Sequence, residues 1–180
     1  MANPLTLPVG QRDHALGAAS APLVLLEYGD FECPQCAAAH PVVKQIENTF
    51  GDRLRFVFRH FPLTNSHPHA QHAAEAAEWA ASFGKFWEMH DALYANNKAL
   101  SDRHILDRAA ALGLPGAKLE QAWAEHTFIP RVKEDFMSGI RSGVTGTPSF
   151  FINGVRHEGT WDELTLSHAL EAAAPDHLSG

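Results

Sequence analysis

The only two cysteines in this 180-residue chain stand two residues apart, in Gly29-Asp30-Phe31-Glu32-Cys33-Pro34-Gln35-Cys36. Thiols so spaced can form a local disulfide, offer half of a metal site, or exchange electrons with another disulfide, and their surroundings decide between these. Upstream, Leu23-Val24-Leu25-Leu26-Glu27-Tyr28 is an apolar run of the kind that forms a buried strand; downstream, residues 37–50 carry helix-forming side chains. The pair therefore falls at a strand-to-helix junction. Cys33 is expected at the helix N-terminus, with Pro34, which has no N–H to leave unpaired, at the first helical position. The free amide hydrogens and positive dipole end found there favour a thiolate, the nucleophile of disulfide exchange.

Three other readings fit the cysteines less well. As a structural staple, so short a loop removes only roughly 2 kcal/mol of unfolded-state entropy, against about 3 for a 15-residue loop. As a zinc half-site it would need His67, His69 and His72, which lie well downstream at no finger-like spacing. As an inert buried pair it would have no use for a Pro-Gln insertion at a helix start.

A second motif, Gly143-Val144-Thr145-Gly146-Thr147-Pro148-Ser149-Phe150-Phe151-Ile152-Asn153-Gly154, reads as a glycine-rich approach to a strand, an Asn-Gly turn and a return strand over 155–158. With Tyr28 to Cys36, and with Gly84-Lys85-Phe86-Trp87-Glu88-Met89-His90 between them, the chain resembles the DsbA-like branch of the thioredoxin-fold thiol-disulfide oxidoreductases from about Ala21 to Ala174. The resemblance implies an α/β fold, the thioredoxin fold with an inserted helical subdomain. It also implies a protein disulfide oxidoreductase in which Cys33 attacks and Cys36 resolves, Pro34 and Gln35 forming the active-site dipeptide. Neither a metal nor an organic cofactor is expected. Glu27, six residues before Cys33, takes the place of the buried acid of thioredoxin relatives, which implies a proton relay to Cys36; the alternative is the exposed end of a strand. Thr147-Pro148 takes the place of the cis-proline loop, where the Thr147 backbone would pair with an extended substrate segment. In strongly oxidising DsbA relatives a histidine precedes the second cysteine, where this chain has the neutral Gln35. Expected partners are cysteine-containing proteins or peptides, and a redox-recycling partner or glutathione. Two rival readings stay open: a non-catalytic peptide-binding or holdase module on the same fold, and a kappa-type glutathione-using transferase or isomerase.

Composition sets the outer limits. The length suffices for one domain with a genuine core. A formal net charge of -7, from 21 acidic and 14 basic residues, suggests neither nucleic acid nor an anionic membrane as partner. Residues 1–8 lack a basic segment followed by an apolar one, and no apolar run is long enough to span a bilayer. The expected location is cytoplasmic, or periplasmic if a signal segment has been removed.

The elements that must hold the cysteines follow in order. Residues 1–21 read as an N-terminal arm without chemistry, and 22–62 as the N-terminal part of the fold. Alternation in the first strand places Leu23, Leu25 and Glu27 on one face and Val24, Leu26 and Tyr28 on the other. The active-site helix should run to about Phe50 and kink at Pro41, with His40 left outside the site. A strand over 54–59 is expected at or near a sheet edge because of Arg55 and Arg59. Residues 63–142 read as helical, with segments over 70–83, 85–96, 102–112, 117–125 and 129–141, and with aromatics that belong to a core. Residues 143–180 complete the fold, ending in a helix that starts near Asp162 and stops at Pro175, then a loose tail.

Overall fold

The computed structural model describes residues 3–175. Its strands are β1 (His14–Leu16), β2 (Leu23–Gly29), β3 (Leu54–His60), β4 (Ser149–Ile152) and β5 (Val155–Arg156). Its α-helices are α1 (Pro34–Phe50), α2 (Ala70–Ala81), α3 (Phe86–Ala95), α4 (Asp102–Ala111), α5 (Gly116–Ala124), α6 (Ile129–Arg141) and α7 (Glu163–Ala173). The five strands form one mixed sheet in the order β1-β3-β2-β4-β5. β2 lies at its centre, parallel to β3 and antiparallel to β4, with Glu27 opposite Phe58 on one side and Phe150 on the other. Helices α2 to α6 all fall between β3 and β4, so the sheet is completed only after the helical segment has been traversed.

β2 is buried on both faces, and its alternation divides the core in two. Leu23 and Leu25 pack with Phe31, Phe56 and Phe58 beneath α1, α3 and α7, while Leu26 and Tyr28 pack with Val57, Phe61 and Phe151 beside α6. A strand apolar on both sides is what a covered, partly parallel sheet requires. The helix starts follow their capping residues: the Ser101 hydroxyl accepts the His104 N–H, and the Asp162 carboxylate accepts the Thr165 N–H at 2.9 Å. α1 continues through Pro41, which forfeits the one backbone bond its nitrogen would have made. Among the insert's aromatics Trp79, Phe86, Tyr94 and Trp123 are buried, whereas Phe83 is exposed. The tail beyond Pro175 lies outside the described residues.

One expectation needs correction. The N-terminal arm is not merely a lead-in, because His14–Leu16 pairs antiparallel with β3 as an edge strand and Pro4 bridges Val155 at the opposite edge. β3 lies next to that edge strand, near the sheet edge as expected, but the arginine that suggested it, Arg59, is fully buried. What permits a buried guanidinium is Asp13, whose carboxylate accepts from Arg59 Nε at 2.8 Å and Nη2 at 3.0 Å, with Tyr28 Oη accepting from Nη1 at 3.0 Å. Burial works most strongly against the Asp13 charge, but the bonds from Arg59 and the Gly10 amide, with the Arg59 and Arg131 charges, together outweigh it and lower its pKa. A carboxylate with a lowered pKa stabilises the fold fully above its unfolded pKa, and that contribution is lost as pH falls through the folded value. Asp13→Ala leaves the Arg59 charge buried and unpaired, so we predict a loss of about 3 kcal/mol or more in urea unfolding at pH 7. A loss no larger than that of a surface charge deletion would contradict this account.

Candidate active site

Cys33 is the N-cap of α1 and Pro34 its first residue, so the reactive loop is continuous with the end of β2. Asp30 shapes that loop. Its backbone carbonyl accepts the Cys33 N–H at 3.1 Å. One carboxylate oxygen accepts the Glu32 N–H at 2.8 Å, while the other accepts the Leu63 N–H at 2.9 Å and His67 Nδ1 at 2.8 Å. A single buried side chain thereby fixes the approach to the cysteine and ties it to the segment after β3. Glu32 repeats the pattern outward, accepting the His69 N–H at 2.6 Å.

Both cysteines are free thiols, and their surroundings drive them apart. Cys33 keeps a small opening to solvent, 6% exposed, whereas Cys36 has none. The Cys33 pKa is lowered to about 5, chiefly because the Cys36 thiol donates to it, with further donation from the Thr147 side chain and the amides of Cys36 and Gln35. The amide donors expected at the helix start are thus joined by two side-chain donors, Cys36 and Thr147. While Cys33 holds its proton, its Sγ donates to the Thr147 carbonyl at 3.7 Å and the Thr147 hydroxyl is buried without a partner. Ionisation makes the sulfur an acceptor, and the hydroxyl then has something to donate to. Burial pushes the Cys36 thiol up, and so does giving its hydrogen bond to Cys33.

Glu27 is 2% exposed, so it lies inside the fold and not at an exposed strand end. Burial, and then the Cys33 charge, raise its pKa to about 8. Thr147-Pro148 is a cis peptide unit facing Cys33. Pro34 and Gln35 lie in the first turn of α1, so every side chain singled out in the sequence lies around one end of the sheet.

The histidines do not converge on the thiols. His67 bonds Asp30, His72 bonds Asp102 at 2.7 Å and stacks on Trp123, and His69 contributes its backbone. Two other groups bring potential metal ligands together: His40, His90 and Asp91, and His60, Glu78 and Asp135. In the first, His90 Nδ1 is committed to Asp91 at 2.9 Å and Lys44 Nζ stands 3.7 Å from the same carboxylate. In the second, one Glu78 oxygen accepts from both His14 and His60 at 2.8 Å, and Asp135 is held by Arg131 and by the His60 N–H. Lys44 beside Asp91 and Arg131 on Asp135 already supply a cation to each group, and the Glu78 oxygen is taken up by two histidine hydrogen bonds, which makes both poor cation sites.

Sequence reading missed Asp30, His67, His90 and Tyr94. Asp30 left only the weak signal of an acid directly after a strand-ending glycine. Tyr94 read as an ordinary core aromatic, and His90 entered only as the last residue of the Gly84–His90 motif, with no role attached.

From the opposed shifts we predict that alkylation of the reduced protein near pH 6 modifies Cys33 well before Cys36. Peptide mass mapping at partial reaction checks this, and equal labelling of the two thiols would contradict it.

Comparison with known proteins agrees with the geometry. The family model described as thioredoxin matches residues 10–172. The structure superposes on oxidised BdbD from Bacillus subtilis with a TM-score of 0.85, covering 96% of this chain and 98% of that one at 20% identity. It superposes on Pseudomonas aeruginosa DsbA2 with a TM-score of 0.75, covering 96% and 99% at 29% identity. A sequence relative in Salinispora arenicola, named Na(+)/H(+) antiporter NhaA 1, is 44% identical over 170 residues, which are 94% of this chain and 26% of that protein. The chain thus spans about a quarter of the length of the curated relatives it matches. The chain belongs to the thioredoxin family, and its structure is similar to those of BdbD and DsbA2.

Proposed function

We propose that Cys33-Pro34-Gln35-Cys36 cycles between dithiol and disulfide while exchanging disulfides with cysteine-containing proteins or small thiols. The observation that carries this reading is the pair of opposed thiols, one poised as a thiolate near pH 5 and its buried neighbour held protonated. In the reducing direction, the Cys33 thiolate attacks one sulfur of a substrate disulfide; that S–S bond breaks, one substrate thiolate leaves, and a mixed disulfide with Cys33 forms. Glu27 takes the Sγ proton of Cys36, and the new thiolate attacks the Cys33 sulfur. The mixed disulfide breaks, the second substrate thiolate leaves, and the chain ends oxidised while the substrate has gained two electrons. Run backward, the same steps oxidise a substrate dithiol. A base with a pKa near 8 suits the exchange, because it can accept the proton near neutral pH and return it.

Substrate would lie extended against Thr147, whose backbone borders the Cys33 sulfur. Main-chain pairing there is largely blind to side chains and suits a broad range of partners. Purified protein should reduce an insulin-type disulfide reporter in the presence of a recycling thiol, and Cys33→Ser should abolish the activity. Persistence of that activity would remove the proposal, and absence from both proteins would favour a holdase or another non-catalytic module.

The direction of exchange turns on Gln35. A neutral side chain beside the thiolate stabilises the reduced form less than a cation would, which makes the protein a weaker oxidant. We expect a potential between roughly -120 and -270 mV, the values typical of strong oxidants and of thioredoxin. Equilibration against glutathione measures it, and Gln35→His should move it toward the oxidising end. A wild-type value at that end already would contradict the argument.

A further inference from the structure

Gly29 ends β2 at a place where glycine is required by space, since its backbone does not enter the left-handed region. A Cβ built there would lie 2.5 Å from Phe58 Cε2, 2.8 Å from the Tyr94 hydroxyl oxygen and 3.0 Å from Glu27 Oε1. A phenol from α3 and a carboxylate from β2 therefore face one point, and the missing methyl keeps that point clear. The two oxygens are no farther apart than the sum of their two distances, yet they share no direct hydrogen bond. Both are buried, and among the described residues neither has a hydrogen-bond partner. An unpaired buried polar atom is costly, and here two of them, one a donor and one an acceptor, face the same point.

We propose that Tyr94 is a positioning residue for Glu27: its unpaired hydroxyl faces the unpaired Glu27 oxygen across Gly29 and sets how readily that group takes the Cys36 proton. This rests on the reading of Glu27 as the acceptor of that proton. The polar and titratable groups around it are Cys33 and Cys36 at the start of α1, Asp30 in the loop, His60 on β3, and His90 and Tyr94 on α3, with His40 stacked behind Tyr94. β4 presents Phe150. Of the other rings, His60 bonds Glu78 through Nε2 and His90 bonds Asp91 through Nδ1; their second nitrogens are buried without partners, but a ring that gives its one N–H to a carboxylate presents a lone pair there and not a donor, and Asp30 is an acceptor already filled by Glu32, Leu63 and His67. Burial and then the neighbouring Cys36 and Glu27 charges raise the Tyr94 pKa, so it keeps its proton and acts as a donor. A donor aimed at a carboxylate favours the charged form, so Tyr94 restrains the upward push of burial on Glu27.

The test follows the two phases in which reduced protein consumes bis(carboxy-nitrophenyl) disulfide, whose released thiol is coloured. Cys33 releases the first equivalent and Cys36 the second, so the pH profile of the second phase reports the proton acceptor. Tyr94→Phe should raise the inflection by about half a unit to one unit, and slow the second phase roughly three- to tenfold below it. Replacing Tyr94 by 3-fluorotyrosine, which keeps the ring and strengthens the donor, should lower the inflection. Glu27→Gln should remove the inflection, and adding Tyr94→Phe to it should change nothing more. If Glu27→Gln leaves the profile intact, the reading of Glu27 as proton acceptor fails. If Glu27→Gln removes the inflection but neither change at Tyr94 moves it, the role of Tyr94 alone is overturned. A purely structural Tyr94 predicts that last pattern, with Tyr94→Phe folding as well as wild type or better. Should Tyr94→Phe not fold, the fluorotyrosine profile decides by itself.

Discussion

Three groups that can each carry a negative charge, Cys33, Cys36 and Glu27, share a region too dry to hold those charges together. The charge on Cys33 raises both of the others, and the Glu27 charge also raises Cys36. Charges this close in a low-dielectric interior titrate as a unit, so ionising Cys33 obliges its neighbours to keep their protons. In the proposed exchange cycle that obligation orders the steps. Once the Cys33 charge is consumed in a mixed disulfide, the penalty on the other two falls, and a proton can pass from Cys36 to Glu27 at the step where a second nucleophile is needed. On that proposal the order of events follows from electrostatics.

The same sheet carries a second polar system on its opposite face, and the two are kept apart by the alternation of β2. Glu27 points toward the thiols, while Tyr28, one residue on, points the other way and bonds Ser138 Oγ at 2.7 Å and Arg59. Arg59 would be a long-range positive charge at the redox site if Asp13 did not answer it at close quarters. On the helical side, Glu78 takes hydrogen bonds from His14 on β1 and His60 on β3, which lowers its pKa against the effect of burial. Each buried charge is neutralised within its own network, so the field felt by Cys33 is set by its immediate donors.

How far this was legible depends on the distance over which each contact is made. The cysteines, Glu27 and Thr147-Pro148 sit in motifs whose geometry is local, and the alternation from Leu23 to Tyr28 identifies both core faces because both are buried. Helices α2 to α6 begin and end within a few residues of their sequence signals, since caps and glycines act at short range. β1 was missed because it spans three residues and is held by a partner strand that sequence periodicity cannot see. Arg59 was misjudged for a related reason: its pairing with Asp13 joins positions 46 apart in the chain, and an arginine alone reads as exposed. Tyr94 was assigned to the core correctly as a ring and incompletely as a phenol.

That last point explains why the fold carries the helical segment at all. α3 sets Tyr94 and His90 against Phe31 and Phe58, with ring centroids 4.7 to 6.3 Å apart, and these rings close the space above Glu27. Burial pushes the His90 pKa down to about 4, so it joins the cluster as a neutral ring and adds no charge at physiological pH. Without this cover water would reach the carboxylate and its pKa would fall toward the ordinary range, which would remove the proton return near neutrality that the proposed cycle asks of it. Through α3 the helical insert therefore shapes the dry surroundings in which the two thiols and the buried acid compete for protons, although it contributes neither cysteine.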